Sequence, residues 1–240
     1  TAANGDATVA IGFRAIATAN LSTAIGIGAK TDGIGSTAIG VQTKASGKVA
    51  TAIGLGSEAS GDAGLAMGSS SKATAANTIS LGGNSLASGI NATAMGNKAT
   101  ASQTGAIALG TSGTASGAQA IAIGESSLAS GANAIATGYA AKAQNSYDYA
   151  AGTQAQALSG KSIALGYQAY ADSKRDVNNP NDLSSAIAIG ANASAIAEAG
   201  GNEAIAIGQN TIAKKSGIAI GYKANAPQNG AIAMGWSANA

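Results

Sequence analysis

A glycine recurs at a constant spacing along most of this chain, and this spacing restricts the fold more than any other feature. Each glycine closes a tripeptide of the Ala-Ile-Gly type, and eleven successive steps of equal length lead from Gly12 to Gly166. The later steps vary in length and lead on to Gly235. The sixteen repeat glycines are Gly12, Gly26, Gly40, Gly54, Gly68, Gly82, Gly96, Gly110, Gly124, Gly138, Gly152, Gly166, Gly190, Gly208, Gly221 and Gly235. A fixed period of this kind, here fourteen, predicts a solenoid.

The residues around each repeat glycine alternate with a period of two. Ala stands two residues before the glycine in fifteen of sixteen repeats, and Ile, Leu or Met stands directly before it in fourteen. The consensus [I/T]-A-I-G-x-x-A-x-A-x-G therefore indicates strands, although Ala by itself favours helices. Each repeat reads as two short strands, with turns at the repeat glycine and near Ser-Gly pairs such as Ser46-Gly47. We predict an all-β fold, a parallel β-roll or β-solenoid in which each repeat forms one coil.

The composition predicts a thin core. Ala is the most frequent residue, Gly occupies 35 positions, and aromatic residues make up only 3% of the chain. An ordinary domain of this size is built around large aliphatic and aromatic side chains. This chain must instead bury small side chains in a regular layer.

The two strands of a repeat differ in the polarity of their faces. In the second strand, Ala alternates with polar residues such as Lys30, Lys44 and Glu58, so one face is expected to meet solvent. In the first strand, Ile, Thr or Leu alternates with Ala or Ser, so neither face is charged. A thin roll can cover only one of these faces, and a long uncovered apolar strip is rare on a soluble monomer. The pattern therefore predicts self-association, without fixing the number of subunits or the face that meets the symmetry axis.

Several function classes are disfavoured by composition. The chain has no His and no Cys, which removes most acid–base and thiol chemistry and the common zinc sites. We therefore expect no enzyme activity, no cofactor and no metal. The charged residues are scattered along the chain and sum to a net charge of only +2, so a nucleic-acid partner is not expected. No apolar run approaches the ~20 residues that a spanning helix needs.

The motif run A-I-A-I-G-x-x-A-x-A-x-G, whose A-I-A-I-G part is seen at 120–124 and 186–190, resembles the head repeats of trimeric autotransporter adhesins, the YadA-like heads. The resemblance implies a left-handed β-roll that forms a homotrimer on the surface of a Gram-negative bacterium. It also implies binding to host cells, extracellular matrix or other bacteria, and a coiled-coil stalk and outer-membrane anchor outside this fragment. On this basis, residues 1–240 form a single head domain of about sixteen repeats, with insertions near 172–183 and 198–201.

The first insertion, 172–182, is the most distinctive stretch of the chain. It interrupts the period without changing the pattern on either side, so it is expected to loop out from one edge of the roll. Loops carry binding functions more often than scaffolds do. The candidate ligand-binding residues in it are Lys174, Arg175, Asp176, Asn178 and Asn179. A tolerated surface insertion and an oxygen-rich cation site remain alternatives.

Aromatic residues form a second candidate binding surface. Tyr139, Tyr167, Tyr222 and Trp236 share the position directly after the repeat glycine, so they are expected to form a discontinuous row along one edge. Tyr and Trp are favoured at binding surfaces. The alternative is local packing that compensates for small residues in neighbouring coils.

The sequence thus predicts a bacterial adhesin head that acts by multivalent attachment. A structural spacer that projects other domains is the main alternative. An ice-binding solenoid is disfavoured because Leu65 and Ile79 interrupt the threonines at one repeat position. A hexapeptide-repeat acyltransferase would have a period of six and a catalytic His.

Overall fold

The computed structural model describes residues 1–174, 184–198 and 203–240, and these residues form strands and turns without any helix. Contacts between residues divide the chain into two compact units, Thr1–Gln119 and Ala120–Ala240. Both units are parallel β-solenoids, and the chain contains about sixteen coils in total. This confirms the predicted fold class and the two-strand reading of the repeat.

In each unit, the strands that precede a repeat glycine form one sheet, the AIG sheet, and the strands that follow it form the other, the polar sheet. In the first unit the AIG strands are β2 (Val9–Ile11), β4 (Thr23–Ile25), β6 (Thr37–Ile39), β8 (Thr51–Ile53), β10 (Leu65–Met67), β12 (Ile79–Leu81), β14 (Thr93–Met95) and β16 (Ile107–Leu109). Its polar strands are β1 (Ala2–Ala3), β3 (Ile16–Ala17), β5 (Lys30–Thr31), β7 (Lys44–Ala45), β9 (Glu58–Ala59), β11 (Lys72–Ala73), β13 (Leu86–Ala87), β15 (Thr100–Ala101) and β17 (Thr114–Ala115).

The second unit repeats this arrangement. Its AIG strands are β18 (Ile121–Ile123), β20 (Ile135–Thr137), β22 (Tyr149–Ala151), β24 (Ile163–Leu165), β26 (Ser185–Ile189), β28 (Glu203–Ile207), β30 (Ile218–Ile220) and β32 (Ile232–Met234). Its polar strands are β19 (Leu128–Ala129), β21 (Lys142–Ala143), β23 (Gln156–Ala157), β25 (Tyr170–Lys174), β27 (Ser194–Glu198), β29 (Ile212–Lys214) and β31 (Asn225–Ala226).

Within each unit, successive strands of a sheet pair in parallel with the equivalent strand of the next coil. In the first unit, for example, Val9 lies opposite Thr23 and Ala10 lies opposite Ala24. The register therefore equals the sequence period, so that identical repeat positions form ladders. This rule places residues that are one period apart in the sequence side by side on the surface.

The interior of each coil is filled by four small side chains. In one coil of the first unit these are Ala94, Ala99, Ala101 and Ala106, all with zero exposure. Ser or Thr takes some of these places elsewhere, and its hydroxyl then bonds within the coil, as Ser36 Oγ donates to the Gly33 carbonyl oxygen at 2.7 Å. No buried side-chain nitrogen or oxygen lacks a hydrogen-bond partner in the part of the chain that is described. The predicted thin core of small residues is confirmed.

The repeat glycines occupy a backbone conformation that suits only glycine. All sixteen have φ between +120° and +134°. The coils also stack closely at this corner, because a Cβ on Gly12 would lie 2.6 Å from the carbonyl oxygen of Gly26. A side chain at Gly12 would therefore be strained by the φ angle and would collide with the next coil.

The two insertions coincide with longer strands. Strands β25 to β28 each have five residues, whereas the other strands have two or three. In β25, Asp172 and Ser173 continue the ladder and lie opposite Ile196 and Ala197 of β27. Both sheets are therefore locally wider at these coils. Residues 175–183 and 199–202, which follow β25 and β27, lie outside the described ranges.

Candidate binding surfaces

The outer apolar face is formed by the residues three and one before each repeat glycine, which point away from the Ala layer. None of these residues is buried in the single chain. In the first unit Met67 and Met95 are 40% and 41% exposed, and in the second unit Ile123 is 41% exposed. No charged residue occurs at either position in any of the sixteen repeats. Each unit therefore presents a long uncharged strip, of the kind that marks an interaction surface.

The predicted aromatic row lies at the turns after the repeat glycines in the second unit. All four side chains are exposed, and Tyr222 is the least exposed of them at 37%. Tyr222 and Trp236 lie on successive coils and stack, with ring centroids 6.3 Å apart and planes inclined by 15°. Lys223 Nζ also lies 5.1 Å from the centroid of the Tyr222 ring. These two aromatics thus form one cationic–aromatic cluster.

The other two members of the row remain apart. Thr153 occupies the same repeat position in the coil between Tyr139 and Tyr167. The structure therefore brings together Tyr222 and Trp236, but separates Tyr139 and Tyr167 by one coil. The role of all four residues in binding stays a prediction.

The candidate residues of the first insertion fall mostly outside the described residues. Arg175, Asp176, Asn178 and Asn179 lie there, and Lys174 is the last residue of β25, with only its backbone described. Just before them, the Tyr170 hydroxyl donates to Asp172 Oδ2 at 3.0 Å. Burial, together with this hydrogen bond and the negative charge of Asp172, raises the pKa of Tyr170 above its usual value. Tyr170 is therefore a neutral donor at physiological pH.

One exposed apolar row was missed by the sequence reasoning. Phe13, Ile27, Val41 and Leu55 occupy the position after the repeat glycine in four consecutive coils of the first unit, and all are exposed. The Arg14 guanidinium carbon lies 5.2 Å from the centroid of the Phe13 ring. The sequence could have shown this row, because its residues directly follow the repeat glycine, as the tyrosines of the aromatic row do.

A buried carboxylate was also missed. Asp148 is 1% exposed and occupies an inward position that Ala134 and Ser162 fill in the neighbouring coils. Its carboxylate accepts the backbone N–H of Asn145 at 2.8 Å and that of Ser162 at 3.0 Å. Burial raises the pKa of Asp148, and the backbone hydrogen bonds only partly oppose this shift. The residue ties two coils together.

The described residues contain no helix that is both long and apolar enough to cross a membrane. Within the same ranges, no group of three or more acidic side chains is placed to hold a metal ion. The exposed residues described above lie on the outer apolar face and at the turns.

Comparison with known protein families supports the architecture. The family model described as "YadA head domain repeat (2 copies)" matches residues 3–29, 32–57, 59–85, 87–112, 115–141, 143–169 and 213–238, which is more than half of the chain. Comparison with curated proteins gives no match. The matched segments follow the coils of both units. The chain therefore belongs to the YadA head family, the family of head domains of trimeric autotransporter adhesins.

Proposed function

We propose that this chain is an adhesin head that attaches a bacterial cell to host cells, extracellular matrix or other bacteria as a homotrimer. The observation that carries the proposal is the outer apolar face, which is uncharged in every repeat and uncovered in the single chain. Copies of the chain that pack these faces around a symmetry axis would remove the strip from water. A trimer also presents each weak binding site three times, which raises the overall avidity.

The oligomeric state is tested by sedimentation equilibrium over a dilution series. The proposal expects a stable species near three times 22.6 kDa. Ile123→Asp places a charge on the outer apolar face and should yield single chains or aggregates. Leu128→Asp, on the outer side of the polar sheet of the same unit, serves as the matched control and should stay trimeric. A folded, monomeric wild-type chain would overturn the trimer.

Attachment is tested with the isolated head on surfaces coated with matrix proteins and on cultured cells. We propose the aromatic row and the first insertion as the contact residues, because exposed aromatic side chains at turns carry a large contact area. Replacing Tyr139, Tyr167, Tyr222 and Trp236 together by Ser should weaken attachment. Thr153→Ser, at the same turn position, should not. A head that binds no matrix protein, cell or sister head would contradict the adhesin function.

The alternative is a structural spacer without a receptor. The observation in its favour is the regularity of the coils, whose repeat glycines share one narrow range of φ. Exchanging the head for an unrelated solenoid of equal length distinguishes the two, because a spacer would retain full function after the exchange and an adhesin would lose attachment.

Location and organisation complete the proposal. We propose that the chain is displayed outside a Gram-negative cell and held in the outer membrane by segments beyond this fragment. We also propose that residues 1–240 act as one head domain, with no catalytic role. Antibody labelling of intact cells that express the full protein tests the location, and loss of labelling after external protease treatment is the expected control.

A further inference from the structure

A polar groove of about 350 Å³ lies on the second unit, lined by Ala140, Lys142, Gln154, Gln156 and Gln168. Lys142 and Gln156 are paired neighbours on the polar sheet. Ala140, Gln154 and Gln168 occupy the second turn position after the repeat glycine in three successive coils. Ala141 and Ala155 separate the turn residues from the strand residues, and both are buried. The side chains on either side of each Ala therefore face outward, and they form a turn wall and a strand wall. The small Ala140 leaves the space at one end.

The turn wall has a fixed geometry. Ala140, Gln154 and Gln168 all have φ between +52° and +58°, the left-handed region. Gln168 Nε2 donates to Gln154 Oε1 at 2.8 Å, which ties neighbouring coils at this wall. This pairing uses one donor hydrogen and one acceptor lone pair, so both carboxamides retain donors and acceptors for a ligand. The groove is therefore preorganised and offers both kinds of hydrogen bond.

The groove contains an uncompensated positive charge. Lys142 is half-buried, its strand neighbours are Leu128 and Gln156, and it has no ion-pair partner in the described ranges. An equivalent lysine of the first unit differs, because Lys44 Nζ lies 3.7 Å from Glu58 Oε1. Glu58 occupies the place next to Lys44 that Gln156 occupies next to Lys142. In the groove, a neutral amide thus replaces the acidic partner.

We propose that this groove binds an acidic saccharide, with its carboxylate on Lys142 and its hydroxyls on Gln154, Gln156 and Gln168. A single lysine matches a single carboxylate, and three carboxamides match the mixed donor and acceptor character of sugar hydroxyls. The groove is open and polar, and it lacks the apolar anchor pocket that a peptide hot spot requires. Tyr139 and Tyr167 directly precede two lining residues in the chain and supply aromatic surface at the turns. The assignment rests on the proposed attachment function, for which it names the ligand class.

The test uses the intact chain labelled with ¹⁵N and titrated with glucuronate, N-acetylneuraminate or neutral methyl glucoside, monitored by NMR chemical shifts. For a single sugar ring we expect a Kd on the order of 1 mM for the acids. The side-chain amide signals of Gln154, Gln156 and Gln168 should shift with the acids, and at least about tenfold more weakly with methyl glucoside.

Two variants remove the charge in different ways. Lys142→Gln deletes it, and Gln156→Glu supplies the carboxylate that neutralises the equivalent Lys44 in the first unit. Both should weaken glucuronate binding by about tenfold or more. Lys44→Gln is the matched control, since it makes the same change at the same repeat position outside the groove, and it should bind as the wild type does.

The outcomes separate this inference from the proposed function. Absence of amide shifts with both acids, equal binding of methyl glucoside, or unchanged binding by Lys142→Gln would overturn the saccharide site. Equal shifts with sodium sulfate would reduce it to a simple anion site, and shifts with an acidic peptide alone would replace its ligand class. A head that still attaches to matrix or cells in those cases keeps the adhesin function without this groove.

Discussion

Glycine is needed at Gly124 for two separate physical reasons, which a pair of substitutions can distinguish. The φ angles of Gly124 and Gly235 are +126° and +123°. This conformation costs a residue with a Cβ about 1–3 kcal/mol. A Cβ on Gly124 would also lie 2.5 Å from the carbonyl oxygen of Gly138, whereas a Cβ on Gly235 meets no atom within 4 Å. The collision is about 1 Å inside the ~3.5 Å separation at which nonbonded atoms attract, so two coils would have to move apart.

We therefore expect unequal losses of stability from the two substitutions. Gly235→Ala should lower the free energy of unfolding by about 1–3 kcal/mol through the φ angle alone. Gly124→Ala should add a further ~1–3 kcal/mol, the usual cost of overpacking. Because each coil contacts only its neighbours, the additional loss should be local to the coils next to Gly124.

Urea unfolding followed by circular dichroism measures the two losses, and amide hydrogen exchange locates them. Faster exchange at the backbone amides of β18 and β20 is expected for Gly124→Ala only. Equal destabilisation by the two substitutions would refute the collision argument. Unchanged stability in both would refute the φ argument as well.

Three further results are expected. Ala122→Leu overfills the Ala layer and should lower the thermal midpoint, with a loss of about 1–3 kcal/mol in the free energy of unfolding. Ile121→Val on the outer face should cost under about 1 kcal/mol in the single chain. A smaller loss for Ala122→Leu than for Ile121→Val would contradict the packing account. Burial raises the pKa of Asp148, so the native chain binds this proton more tightly than the unfolded chain, and stability should fall as the pH rises through the raised pKa; urea midpoints between acidic and neutral pH should show this slope in the wild type, and Asp148→Asn should remove it. Glu58→Gln breaks the exposed ion pair with Lys44 and should change the free energy of unfolding by less than about 1 kcal/mol, because solvent screens such pairs; a larger loss by denaturant titration would show that the pair is structurally important.

The repeat was enough to predict most of the fold. A short constant period with two alternating segments is compatible with short stacked strands, and the structure has the strands where the alternation occurs, such as β4 at Thr23–Ile25. The shared position of the tyrosines also predicted their place at the turns. That Tyr222 meets Trp236 follows from their equivalent places on successive coils, one period apart.

Other features were not predicted, because they depend on side-chain environment as well as on the period. Asp148 is the one acidic residue at an inward position among the described coils, and the sequence shows it only as a departure from the small residues, such as Ala134 and Ser162, at the same repeat position. The groove at Lys142 depends on a neighbour that is neutral and on the outward direction of left-handed turn residues. Hydropathy patterns record neither property, because they describe each residue without its partners.

By itself, the sequence determined that the chain folds into parallel coils, which positions form ladders, and that one sheet has two uncharged faces. It did not determine which of those faces is internal, since Ala and Ile are both apolar. Only the tertiary structure decided this. A coil this short, closed by two tight turns, encloses a space that four small side chains fill, as Ala94, Ala99, Ala101 and Ala106 do with zero exposure. The larger Ile, Leu and Met side chains must therefore lie outside, where they form the apolar face that is available to other chains.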